Sequence, residues 1–146
     1  MATNLGPFVV DASINAAWFL PDEATADTEA DTEAALQATA TLDVWVPAFW
    51  LLEMGNLQHS AQRRKRISAK KRRELSAAAA ALRVRVGREL VAITTLDELA
   101  ARHGLSAYDA AYLELAMRRG LPLATRDDAL LAAMTKAGVS SAMLQA

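Results

Sequence analysis

The stretch Phe8-Val9-Val10-Asp11-Ala12-Ser13-Ile14-Asn15-Ala16-Ala17-Trp18 decides the fold. Its apolar run follows Gly6-Pro7 and stops at a carboxylate, the pattern of a short buried parallel strand. Ser13 stands two residues on, where a helix begins. In an open α/β sheet, ligands collect outside the carboxyl ends of the strands, and this turn puts Asp11 at such an end. A plainer role is open to Asp11 and Ser13 as well, that of capping the helix.

Outward from this turn, apolar runs alternate with helical patterns. An acidic, alanine-rich segment over about 23–40 reads as an exposed helix. Val44-Trp45-Val46 reads as a second strand, closed by Pro47 at the first position of a helix that runs toward His59. Ser68 is the expected cap of a long helix over about 69–86. Leu90-Val91-Ala92-Ile93 is the expected third strand. Thr95 with Glu98, and Ser106 with Asp109, are capping boxes opening helices that end at Gly104 and Gly120. Leu121-Pro122-Leu123-Ala124 is the expected fourth strand. A helix from about Asp127 to Lys136 stops at Gly138, and Ser141-Ala142-Met143-Leu144 reads as a fifth, edge strand. This alternation predicts an α/β domain with a parallel sheet of four to five strands covered on both faces. No repeat or linker divides the chain, so one domain over 1–146 is expected.

Composition narrows the chemistry. The chain has 146 residues, 53% of them hydrophobic and 23% charged, which suits a packed globular domain. It has no cysteine, so disulfides, zinc–thiolate sites and thiol nucleophiles are excluded. No apolar stretch approaches the ~18 residues that a membrane span needs. The N-terminal residues lack the pattern of a signal peptide, and a cytoplasmic location is expected. The net charge of −1 hides an asymmetry. Residues 22–33 carry Asp22, Glu23, Asp27, Glu29, Asp31 and Glu33 without a basic residue. Arg63, Arg64, Lys65, Arg66, Lys70, Lys71, Arg72 and Arg73 hold half of all the lysine and arginine.

Three further carboxylates resist a plain account. Glu53 lies in the second turn of a largely apolar helix, with Asn56 on its face and no basic residue three or four positions away. Asp109 belongs to a capping box, yet shares a helical stripe with Tyr112, Leu113 and Ala116. A carboxylate on such a face is paired, hydrogen-bonded or metal-bound, because an isolated buried charge is costly. Asp127 follows the fourth strand directly. Thr125 and Asp128 make a capping pattern there, which leaves Asp127 as the candidate for function, against a helix-dipole role. Carboxylates that converge raise one another's pKa unless a cation neutralises them. An all-oxygen site suits Mg²⁺ or Mn²⁺, which activate water and stabilise in-line attack on a phosphodiester.

The order of these motifs resembles that of the PIN-domain ribonucleases, specifically the VapC-type toxins of type II toxin–antitoxin pairs. The matching stretches are Val10-Asp11-Ala12-Ser13 with Trp18 and Pro21-Asp22-Glu23; Val46-Pro47 with Glu53 and Asn56; Gly104-Leu105-Ser106-Ala107-Tyr108-Asp109-Ala110-Ala111-Tyr112; and Leu123-Ala124-Thr125-Arg126-Asp127. The resemblance implies a three-layer α/β/α PIN-like domain that cleaves RNA endonucleolytically. It implies that Asp11, Glu53, Asp109 and Asp127 are catalytic and hold Mg²⁺ or Mn²⁺, with Ser13, Asn56 and Thr125 in support. A homodimer and neutralisation by a cognate antitoxin protein are implied as well. The doubled Asp127-Asp128 leaves two candidates for the fourth carboxylate.

Lysine and arginine contacts to phosphates dominate nucleic-acid affinity, so Arg63–Arg66 and Lys70–Arg73 are candidate RNA contacts; the alternative is a solvated helix–turn–helix tip. His59 and His103 are given no catalytic role, and Trp18, Trp45 and Trp50 are read as core or dimer-interface aromatics. A haloacid-dehalogenase-type site would want an aspartate where Ser13 stands. A receiver-type site would want an acidic residue where Thr94-Thr95 follows the third strand. The more serious rival is a non-catalytic RNA-binding or interaction module, which gains nothing from clustered carboxylates.

Overall fold

A computed structural model describes residues 6–19, 37, 39–41 and 43–142. The expected acidic helix lies almost wholly outside the described residues, as do the Trp18 side chain, Pro21-Asp22-Glu23, and Met143 and Leu144 of the expected fifth strand. The described elements are β1 (Phe8–Val10), α1 (Ala12–Phe19), β2 (Val44–Pro47), α2 (Trp50–Arg63), α3 (Ala69–Ala81), β3 (Arg85–Gly87), α4 (Ile93–His103), α5 (Ala107–Arg119), β4 (Leu123–Ala124) and α6 (Asp128–Ala137). A 3₁₀ turn at Thr39–Thr41 precedes β2.

The strands form one parallel sheet in the order β3-β2-β1-β4. Beyond β4, Ser141 bridges in parallel to Leu123, the start of the expected edge strand. Successive side chains of a strand point to opposite faces, and β1 divides the core accordingly. Phe8 and Val10 pack with Val44, Val46, Trp50 and Met54 on one face. Val9 packs with Tyr112, Leu113, Leu115, Leu123 and Leu130 on the other. Helices α1, α2 and α3 cover the first face, and α5 and α6 the second. The chain is thus an α/β fold with a four-stranded parallel sheet between helical layers, as expected.

Helix α2 buries Trp50, Met54, Gln58 and Ala61, a stripe at helical spacing. Ser68 and Ser106 cap α3 and α5 as expected, accepting from the Lys71 and Asp109 N–H groups at 3.0 and 3.1 Å. Gly104 and Gly120 end α4 and α5 at φ +64°, a conformation that costs glycine nothing.

Four expectations need correction. The third strand is Arg85–Gly87, and the apolar run that was expected to form it is a connection in which Leu90 is fully exposed and Ile93 begins α4. An edge strand needs no continuous apolar run, and Arg85 is exposed beside Trp45, with its guanidinium 5.8 Å from the ring centre. The last residue of the strand is Gly87, where a Cβ would come within 2.9 Å of Leu115 Cδ1. Helix α3 accordingly stops at Ala81, before 86. Helix α4 starts two residues ahead of Thr95, with Ala92 in the capping position, so Thr95 and Glu98 form no box. Pro47 is paired with Gly87 as the last residue of β2, and α2 begins three residues later.

Candidate active site

Asp11 follows β1 and is buried to 2% exposure. Its Oδ1 accepts from the Ser13 N–H at 3.0 Å, the Ser13 hydroxyl at 2.6 Å and the Ile14 N–H at 3.4 Å. Its Oδ2 accepts from the Thr125 hydroxyl. Asp11 therefore caps α1 and is also held from the neighbouring strand. The same two hydroxyls reach onward: Ser13 Oγ accepts from the Arg126 N–H at 2.9 Å, and Thr125 Oγ1 from the Asp127 N–H at 3.0 Å. β1 and β4 are adjacent and parallel, so their carboxyl ends bring these groups together.

Asp127 is the cap of α6, its Oδ1 accepting from the Leu130 N–H at 2.8 Å. This corrects the expected pairing of Thr125 with Asp128: Thr125 serves Asp11, Asp127 caps, and Asp128 is an exposed first-turn residue. Asp109 is half-buried in the first turn of α5. Because α2 begins at Trp50, Glu53 lies in its first turn and not the expected second; it is half-buried, and its Oε1 accepts from the Tyr112 hydroxyl at 2.8 Å. That bond joins α2 and α5, which cover opposite faces of the sheet, across its carboxyl end. In the sequence Tyr112 is only a member of the Asp109 helical stripe, and no local signal links it to a partner 59 positions away. Asn56 is exposed and lines two cavities beside Glu53. Glu114, on α5, is largely covered and pairs with Arg118 at 2.7 Å.

The electrostatics tie the carboxylates together. Burial holds the Asp11 carboxyl above the usual aspartate range despite its hydrogen bonds, and the charge of Asp109 adds to the rise. Burial raises Glu53 too, opposed by the Tyr112 hydrogen bond and aided by the charges of Asp109 and Asp11. Asp109 is raised by burial and then by the charge of Asp127. Burial and the Glu53 charge push the Tyr112 phenol far above its usual range, so it keeps its proton and acts as the donor.

No three His, Asp or Glu side chains among the described residues are close enough to hold a metal ion directly between them. The donor set nonetheless fits a hard cation. It is made only of carboxylate and hydroxyl oxygens, its carboxylates carry mutual repulsion that a divalent ion would relieve, and Mg²⁺ keeps several waters and takes only one or two carboxylates directly.

The basic residues lie elsewhere. Arg63 ends α2 and Lys70, Lys71 and Arg73 are exposed on α3. Ten residues of helix separate Arg63 from Glu53, about 15 Å along the axis. Arg72 is half-buried, its Nε donating to Gln62 Oε1 at 2.6 Å, which makes it a tie between α2 and α3.

The sequence matches the family model of the PIN domain over residues 8–136. Its structure is similar to the crystal structure of PAE2754 from Pyrobaculum aerophilum, with a TM-score of 0.63 and 23% identity, over 97% of this chain and 88% of that one. That likeness is one of fold. No curated protein matches the chain. The family match spans both core faces and every strand, and the chain belongs to the PIN domain family.

Proposed function

We propose that the chain is a Mg²⁺- or Mn²⁺-dependent endoribonuclease, acting in the cytoplasm as the toxin of a toxin–antitoxin pair, with one PIN domain over residues 1–146. The PIN family is a nuclease fold family, which supports the hydrolytic reading. The observation that carries it is the electrostatic coupling of Asp11, Glu53, Asp109 and Asp127 at the carboxyl end of the sheet. When bound, the divalent ion would supply charge neutralisation, water activation and stabilisation of the in-line transition state. Of Asp11, Glu53, Asp109 and Asp127, one or two would hold it directly and the others through its waters, Asp11 being fixed by Ser13 and Thr125, and Glu53 by Tyr112. Phosphate contacts by the exposed residues among Arg63–Arg66 and Lys70–Arg73 would draw the RNA backbone along α2. A homodimer and a cognate antitoxin complete the reading on family resemblance.

The experiment is cleavage of a mixed cellular RNA pool by the purified chain with Mg²⁺, Mn²⁺ or EDTA, with Asp11→Asn alongside. Discrete cuts that need metal and vanish in the variant are expected. Equal cutting by wild type and variant would place the activity outside this site. If both are inert with every metal, the chain is a non-catalytic RNA-binding or interaction module.

A further inference from the structure

Tyr108 stands in the first turn of α5, one residue before Asp109, yet it is 62% exposed. It is not loose. Phe49, at the N-terminal cap position of α2, meets its ring edge-on, with centroids 5.4 Å apart and planes at 71°. The same phenylalanine meets Tyr112 at 5.5 Å and 84°. One aromatic wedge thus braces both the tyrosine that holds Glu53 and the tyrosine that faces solvent. Phe49, Leu52, Glu53, Asn56 and Tyr108 line a cavity of about 500 Å³, inside the ~300–1,000 Å³ range of small-molecule sites. Leu52 is itself 77% exposed. The cavity therefore has a braced aromatic wall, an exposed apolar side, an amide and one of the site's carboxylates.

These parts match the chemistry that holds an unpaired nucleobase: stacking on an aromatic face, with side-chain hydrogen bonds to the base edge. The carboxylates disfavour a free phosphate in the same space, whereas a base is uncharged. We propose that this cavity binds one unpaired base of single-stranded RNA beside the bond cut at the carboxylates, with Tyr108 as the stacking platform and Asn56 reading the base edge. The proposal rests on the ribonuclease reading for its substrate, and its test separates the two.

The test uses an unstructured oligoribonucleotide that the chain cleaves, and the same oligomer with one abasic ribose at each position in turn. With wild type, one abasic position next to the cut lowers kcat/KM about 10- to 100-fold, in keeping with base–aromatic stacking. Tyr108→Leu lowers cleavage of the intact oligomer by a similar factor and no longer responds to that position; Tyr108→Phe retains both. Circular dichroism checks that the variants fold, which exposure of Tyr108 favours. A second readout needs no cleavage: in EDTA, wild type quenches an oligomer carrying 2-aminopurine, and Tyr108→Leu does not. If the chain cuts no RNA but this quenching is found and is lost in Tyr108→Leu, the ribonuclease reading falls and the base site stands. If Tyr108→Leu matches wild type in cleavage, abasic response and quenching, the base site is overturned and the exposed patch is left to a protein contact. If wild type neither cuts nor quenches, both fall.

Discussion

Asp11 does two jobs that pull its chemistry in opposite directions. As the cap of α1 it accepts from the Ser13 and Ile14 N–H groups, and these bonds favour the charged form. Its burial, with Asp109 nearby, favours the neutral form and wins. Asparagine keeps one acceptor oxygen for α1 and places an amide group where Thr125 can turn its hydroxyl to accept. Asp11→Asn is therefore expected to leave Tm within about 2 °C of wild type, while Asp11→Ala loses a cap worth about 0.5–2 kcal/mol; thermal denaturation in EDTA compares them. Cleavage separates from stability here: Asp11→Asn should lose at least ~100-fold in rate, the scale of removing one electrostatic group from a reacting centre. The same carboxylates set a pH dependence. Asp11, Glu53 and Asp109 are all raised above their ordinary values of 3.8, 4.5 and 3.8. Their contribution to stability is thus fully present below those values and is lost as pH rises through the elevated ones. Metal-free chain should lose Tm as pH climbs from near 4, and Mn²⁺ or Mg²⁺ should restore it at neutral pH; a Tm-against-pH series with and without EDTA measures this. An unchanged metal-free Tm across that window would mean that the three carboxylates are relaxed in solution.

Helix α2 carries two features that cost stability, and each yields a prediction. Gln58 is 2% exposed on the buried stripe, and its Nε2 has no hydrogen-bond partner. A buried donor left unsatisfied costs about 1–3 kcal/mol, so Gln58→Met, of similar length, should raise the unfolding free energy by about 1 kcal/mol in a urea titration. At the other end, Lys65 sits at φ +60° just after α2, while the Arg66 N–H bonds the Ala61 carbonyl at 2.9 Å. This is the place glycine takes in a helix C-cap. Lys65→Gly should stabilise by about 1 kcal/mol; were RNA affinity to fall at the same time, the strained position would be held for its charge. The legibility of elements follows the same physics. β1, β2 and β4 announce themselves as apolar runs because they are buried. β3 does not, because it lies at the edge beside Trp45, and Leu90-Val91-Ala92-Ile93 offers a more apolar decoy that stays exposed. Of the candidate carboxylates, Asp11 and Asp127 stood out by following apolar strands, Glu53 by having no basic residue three or four positions away, and Asp109 by sharing an apolar helical stripe. Tyr112 did not stand out, because its bond to Glu53 exists only once two helices meet over the end of the sheet.

Across the whole molecule, charge is polarised along α2: carboxylates gather at its N-terminal end and lysine and arginine at its C-terminal end. A polyanion held at the basic tip would extend toward the carboxylates about 15 Å away, and its affinity would depend on salt through the counterions it releases. Each phosphate contact on a single strand contributes about −0.7 to the slope of log K against log salt. Arg63, Arg64, Lys70 and Lys71 are exposed, so each is free to turn toward a phosphate. Arg72 belongs to a different class, being spent on Gln62. Replacing the four exposed residues by glutamine should therefore reduce the magnitude of the slope by up to about 3, measured by fluorescence anisotropy of an oligoribonucleotide in EDTA. Arg72→Gln should instead lower Tm with little change of slope. The two results together decide the matter. A flattened slope in the quadruple variant alone assigns RNA guidance to the tip, whereas a slope that survives it leaves the tip as a solvated turn and requires the RNA to reach the carboxylates from another face.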